Sequence, residues 1–250
     1  PVTLGQTTST VRTWDGAAVE WDVVSADLAG LSIDIAGGTD VIGWDRVRAV
    51  EGRMAGEARP YLELAEDAWR ATSRLARGDA FGAEPIFERL FERTRGEPGP
   101  TPAVIAEGLL RCRLRRDARA SAVEAWLDLQ SNLSSAPTRT PRWGIRSAAL
   151  DDRSLLCPSL PPIWYRGPAA EAFARRSDGP GSPGDPTSAV RVLYTAAARA
   201  AMGEPIDSAS TARAVEAASV RPSGEFIADL VLAQIGGATA RGDARQALER

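Results

Sequence analysis

The sequence predicts an α+β fold: a small N-terminal antiparallel β-barrel followed by an α-helical hairpin solenoid. Three observations carry this. Apolar and polar residues alternate up to about residue 52, as in half-buried strands. From Arg59 the apolar residues recur at threes and fours, as on one helix face. Part of the helical region also aligns with itself after a shift of 39 positions, taking Leu75 to Leu114, Ala83 to Ala122 and Phe87 to Trp126.

In residues 1–52, Val11 and Thr13 are followed by Val19, Trp21 and Val23, and Asp15-Gly16 between them is a hairpin signal. Leu31, Ile33 and Ile35 form the next run, Gly37-Gly38 turns, and Val41, Ile42, Trp44, Val47 and Val50 close the module. With Val2 and Leu4 this makes about five short strands, a spacing that suits a small closed barrel without exposed edges.

Residues 59–133 read as two helical hairpins. Leu62, Ala65, Trp69, Thr72 and Leu75 share a face, Arg77-Gly78-Asp79 interrupts, and Ala83, Phe87, Leu90 and Phe91 continue. Gly96 to Pro100 stops that helix, and Thr101-Pro102 reads as an N-cap with proline at the first helical position. Val104, Ile105, Leu109 and Cys112 mark a third helix; Ala122, Trp126 and Leu129 mark a fourth.

Residues 134–187 hold nine of the 17 prolines, yet also Trp143, Leu160, Ile163, Trp164, Tyr165 and Phe173. This mixture predicts an ordered excursion with a short helix near 169–176 and a flexible tip over 177–186. Residues 188–250 predict a second helical block: Val190, Leu193, Tyr194, Ala197 and Ala201 share one face, and two further helices lie near 207–219 and 223–240. Ala76 to Ala80 recurs as Ala240 to Ala244, which predicts a turn at Arg241-Gly242-Asp243 and a further hairpin beyond it.

The alternation around Asp15-Gly16, Val19 to Asp27 and Gly38 to Val47 resembles SH3-like and Sm-like small barrels. The helical region resembles a degenerate tetratricopeptide repeat: Gly78 and Asp79 fit that family's turn, and Ala83 with Phe87, then Ala122 with Trp126, fit its small–large pair. Trp69 falls two places from the family's first-helix aromatic, and the 39-residue period exceeds the usual ~34. The resemblance implies protein–protein binding. An SH3-type barrel would take a proline-rich ligand on aromatics such as Trp14 and Trp44.

Composition excludes whole classes of chemistry. The chain has no histidine, and all 30 of its basic residues are arginine. That removes Ser-His-Asp triads, Cys-His pairs, histidine-ligated metals, Walker A lysines and Schiff bases. No metal, cofactor or catalytic residue is expected, and the chain reads as a non-enzyme. The absence of lysine also suggests a high-GC bacterial genome. A net charge of −3, with eight acids against three arginines in residues 1–52, gives no electrostatic reason to bind nucleic acid. No apolar run reaches the ~18 residues of a membrane span. The chain starts at Pro1 rather than methionine, so either a leader is removed or the sequence starts within a longer chain, and an exported or periplasmic location is expected over a cytoplasmic one.

The expected role is a protein–protein interaction scaffold or a structural subunit of a larger assembly, its partners other proteins. Candidate contact residues are Trp14 and Trp44 on the barrel, Arg111 and Arg115 at a helix end, and Trp143, Trp164 and Tyr165 in the excursion. The alternative is a carbohydrate or cell-envelope binding module, with Trp143, Trp164 and Tyr165 as stacking platforms. Cys112 and Cys157 could be two free thiols or one disulfide, and Asn132-Leu133-Ser134 fits a glycosylation sequon.

Overall fold

The computed structural model describes residues 8–35, 38–135, 156–157, 159–160, 162–176, 186–220 and 222–248. The alternating segment forms β1 (Ser9–Thr13), β2 (Ala18–Ala26), β3 (Leu31–Ile35), β4 (Gly38–Ile42) and β5 (Val47–Gly52). They make one antiparallel sheet in the order β4-β3-β2-β1-β5. β2 serves two neighbours: Val19 lies opposite Val11 of β1, and Val23 opposite Ile33 of β3, with a register shift before Ser25. Such an irregularity bends a strand and lets one run of residues pair on both sides. No ladder joins β4 to β5 among the described residues, so backbone pairing leaves these two strands as edges. The period of two puts Val11, Val23, Leu31 and Ile33 inside, and a register shift opposite Arg12 and Thr13 lets both Val47 and Val50, three apart on β5, face inward as well. The Asp15-Gly16 turn forms as its residues dictate. Gly16 takes φ 92°, and the Asp15 carboxylate accepts from the Thr13 hydroxyl and the Ala17 N–H. Those bonds, Thr13's first, hold the Asp15 carboxyl below the usual carboxylate range. The strand expected at Val2 and Leu4 lies outside the described residues.

Between β4 and β5 the chain makes one 3-10 turn, Trp44–Arg46, and buries Trp44 completely. Its indole Nε1 donates to the Asp27 carbonyl at 2.6 Å, and its ring stacks on Tyr61 with centroids 5.3 Å apart. Its backbone N–H donates to the Thr101 hydroxyl at 2.9 Å, and that hydroxyl donates to the Ala29 carbonyl at 2.7 Å. Thr101 therefore does not cap its own helix. The helix starts at Pro100 behind Gly99, and the Thr101 hydroxyl, fully buried, satisfies backbone groups of the sheet instead. The sequence signal for a cap and the signal for a sheet tie are the same residue; burial against the strand connections decided its use.

The helices of this part are α1 (Ala55–Ala58), α2 (Leu62–Ala76), α3 (Ala80–Thr94), α4 (Pro100–Arg115) and α5 (Arg119–Ser135). Gly78 at φ 89° ends α2, and the Asp79 carboxylate caps α3 by accepting from Gly82 N–H at 2.8 Å, so Arg77-Gly78-Asp79 is a helix-to-helix turn. Ala83 and Phe87 are fully buried. A Cβ at Gly108 would lie 2.2 Å from Phe87 Cζ, so α3 and α4 approach as closely as they do because position 108 has no side chain. Asn132 is buried, accepting from Gly99 N–H at 2.7 Å and donating to the Asp128 carbonyl at 3.1 Å. The sequon asparagine is thus committed to holding a loop.

Two compact units result: residues 1–117 with 128–144, and residues 118–127 with 145–250. The sheet and α2 to α4, read above as separate segments, belong to one unit. The second unit contains α6 (Pro168–Arg176), α7 (Pro186–Met202), α8 (Ser208–Ala218) and α9 (Pro222–Leu248). The turn expected at Arg241-Gly242-Asp243 does not form. α9 runs through it, because an isolated glycine costs a helix only about 1 kcal/mol while no proline removes a ladder bond there. At the first Arg-Gly-Asp a packed partner helix and the Asp79 cap fix the break. The flexible tip expected at 177–186 lies, apart from Pro186 at the start of α7, outside the described residues.

Replacing Thr101 by valine keeps the volume and deletes the hydroxyl, leaving the Trp44 N–H buried without an acceptor. We expect a loss of about 1–3 kcal/mol of stability, read from chemical denaturation, with serine at 101 restoring most of it.

Candidate functional site

In the second unit the core is a connected set of rings. Trp126 and Tyr194 lie 5.3 Å apart in a tilted arrangement, Phe173 meets Tyr194 edge-on at 6.4 Å, and Trp164 stacks on Phe173 at 4.9 Å. The Tyr194 hydroxyl donates to the Leu160 carbonyl, and burial raises its pKa well above the usual phenol value, so it stays a donor. Cys157 lies in the same core, where Leu160 N–H donates to its carbonyl at 2.9 Å. These contacts hold the described residues of the proline-rich strap, 156–157, 159–160 and 162–167, on α6 and α7.

A second device fixes the strap at Trp164. The Gln234 carboxamide of α9 accepts from Trp164 N–H at 3.1 Å and donates to the Trp164 carbonyl at 2.9 Å; it also donates to the Ala197 carbonyl of α7 at 3.2 Å. One side chain thereby joins the strap, α7 and α9. Small residues at Ala200, Ala201, Ala233 and Gly237 leave room beside that junction. The result is a groove of about 710 Å³, walled by Trp164 and Tyr165, by Met202 at the end of α7 and by Leu230 on α9. Arg166 is the charged residue on its lining, and it is exposed. Tyr165 is 86% exposed and Ile163 is 46% exposed.

The residues expected to bind partners do not gather in one place. Trp164 and Tyr165 both line the groove, with Trp164 giving one ring face to Phe173 and Tyr165 standing free. Trp143 lies outside the described residues. Trp44 is fully buried and so offers no surface to a partner; its apolar ring is what the sheet needs to cover Tyr61. Trp14 is half-buried, stacked on Trp69 at 4.3 Å with the Arg48 guanidinium 5.9 Å from its ring. Arg111 is turned inward onto the buried Glu107 carboxylate, at 2.6 Å. Arg115 donates to the Gly78 carbonyl at 3.2 Å, and its neighbour Arg116 grips Glu84 at 2.6 Å. The arginine cluster is therefore spent on α3, on the α2–α3 turn and within α4, and a phosphate would have to displace carboxylates already in place. Sequence reading missed Gln234, Arg166, Met202 and Leu230. A lone glutamine among Ile227, Leu230 and Val231 was the available signal, since an amide on such a face needs partners.

Among the described residues no group of His, Cys, Asp or Glu could hold a metal ion, and no helix is long and apolar enough to cross a membrane. Cys112 and Cys157 are both free and buried. Burial, with Glu84 adding to it, pushes the Cys112 thiol up to about 12; burial pushes Cys157 up to about 11.

Both folded thiols ionise above their ordinary value of 9.0, so the unfolded chain loses its thiol protons first. Their contribution to stability is complete below pH 9 and lost as pH rises toward about 11 to 12. Melting temperatures should fall over that window and fall less in a Cys112→Ser, Cys157→Ser chain. At pH 8, Ellman's reagent should label the native thiols at least about a hundredfold more slowly than the denatured ones. Replacing Gln234 by alanine should free the strap, and limited trypsin digestion should then cut after Arg166 about tenfold faster while the helical circular dichroism is unchanged, since such cleavage reads local opening.

The chain matches no protein-family model, no curated protein and no solved structure, so the groove's own chemistry is what bears on function.

Proposed function

We propose that this chain is a protein–protein interaction scaffold or a structural subunit of a larger assembly, and that it binds a partner protein's apolar segment in the groove of its second unit. One observation carries the reading. Trp164 and Gln234 anchor the strap from behind, so Tyr165 is presented 86% exposed at the groove without being needed for the fold. An aromatic held ready beside a small-residue floor is the usual anatomy of an interface hot spot, because little entropy is left to lose on binding. The floor of alanine and glycine admits a bulky apolar side chain, and the Arg166 guanidinium at the rim favours a partner that carries a carboxylate next to it.

The helical hairpin of α2 and α3, with Ala83 and Phe87 of α3 fully buried, supports the tetratricopeptide-like reading of the first unit and fits the same role. A glycan would ask more of the groove than it offers. Trp164 gives a face to Phe173, and the Gln234 amide is already engaged at both ends, which leaves Tyr165 and Arg166 to meet many hydroxyls.

The test uses the full chain as bait in native extract beside an Ala233→Trp chain, whose added ring fills the groove from an exposed helix position. A stoichiometric protein should be captured by the parent, and the purified partner should bind the variant at least tenfold more weakly, while Phe81→Ala, at a 92% exposed site of the other unit, should bind as the parent does. A partner indifferent to Ala233→Trp, or cell-envelope glycan retained in place of protein, would overturn the proposal.

A further inference from the structure

Gln234 does more than hold the strap: its geometry reveals which edge of the strap is left for someone else. A carboxamide can meet the N–H and the C=O of one residue together only if both point to the same side, as they do in an extended strand. Gln234 meets both groups of Trp164, at 3.1 Å and 2.9 Å. It occupies the place that the peptide group of a neighbouring strand would take. In an extended segment the backbone groups of the flanking residues point the opposite way. Those flanking residues are Ile163 and Tyr165, and among the described residues their N–H and C=O groups have no hydrogen-bond partner. The side chains fit the same picture: Trp164 turns to Phe173, while Ile163 and Tyr165 are exposed at 46% and 86%.

Resting on the binding role proposed above, we infer that the partner segment binds as an added β-strand, pairing its backbone with Ile163 and Tyr165. The strap is thus a one-strand sheet, satisfied on one edge by a side chain and, among the described residues, open on the other. An incoming extended peptide gains backbone bonds from the open edge, and its alternate side chains lie beside the exposed Ile163 and Tyr165. Arg166 is the next residue along. It is exposed and forms no ion pair among the described residues, so it selects a segment with an aspartate, a glutamate or a terminal carboxylate at that end.

The probe is a random nonapeptide library displayed on phage, selected on the full chain and counter-selected on the Ala233→Trp chain. The enriched peptides should alternate apolar and polar residues and carry an acid near one end. The strongest is then synthesised with N-methyl groups on alternate residues, once in each of the two frames. Strand addition predicts that one frame loses at least tenfold in affinity and the other stays within about twofold, because only alternate N–H groups face the strap. Arg166→Ala should weaken the unmethylated peptide about threefold or more. If both frames bind alike, or if no peptide is enriched, the strand-addition inference fails. Equal frames combined with loss of binding on Ala233→Trp would leave the groove as the site and overturn only the strand geometry. A native partner that ignores Ala233→Trp would bring down the groove itself.

Discussion

The first unit depends on what happens around Trp44. A sheet whose two edge strands are joined by a short connection must satisfy the backbone of that connection somewhere, and here it does so inside the protein. The indole donates to Asp27, the backbone N–H donates to Thr101, and the Thr101 hydroxyl donates onward to Ala29. Each bond alone is worth about 1 kcal/mol, but each broken one would leave a buried polar group at a higher cost. The same few atoms thus decide where α4 begins and how it meets the sheet. They explain why a sequence that reads as barrel, then solenoid, folds this region as one unit.

Charge is used in the same spirit. Arginine is the only cation available to this chain, and its forked guanidinium suits pairing between helices. Arg116 and Arg113 reach from α4 to Glu84 and Glu88 of α3, while Arg111 lies along its own helix on Glu107. The run of arginines that includes the candidate contacts Arg111 and Arg115 is in the main internal cement. The exposed Arg116 contributes modestly, since water screens it; Arg113 and Glu84 are shielded but 3.9 Å apart, so the cost of burying them offsets much of their attraction.

The second unit solves a different problem. Among the described residues the proline-rich strap has no neighbouring strand, so its backbone is met by side chains. Gln234 meets it at Trp164, Tyr194 meets it at Leu160, and ring stacking from Phe173 supplies the apolar part. Among the described residues the strap is held from one side only, and the backbone groups of Ile163 and Tyr165 have no hydrogen-bond partner on the other.

Local chemistry was legible in the residues themselves. The period of two gave away the strands, the Asp15-Gly16 turn and the first Arg-Gly-Asp turn declared their own backbone angles, and the threes and fours placed α2 to α8 and the start of α9 within a few residues. Such signals are local because sterics and hydrogen bonding act between neighbours in the chain. The class of fold, a sheet followed by helices, follows from them. Trp164 and Tyr165 could also be singled out, since aromatic residues in a proline-rich stretch need a reason. What the sequence could not decide was which side each residue would face. Trp44 and Arg111 are chemically as fit for a partner as for the interior, and only packing assigned them inward. Likewise Arg241-Gly242-Asp243 repeats the earlier turn letter for letter but stays helical, for a break needs a cap and a packed neighbour as well as a glycine. Gln234 and Trp164 stand seventy positions apart and meet only because α7 and α9 bring them together. Tertiary structure alone makes that contact, and with it the groove, because burial and long-range pairing are properties of the whole fold rather than of any window along the chain.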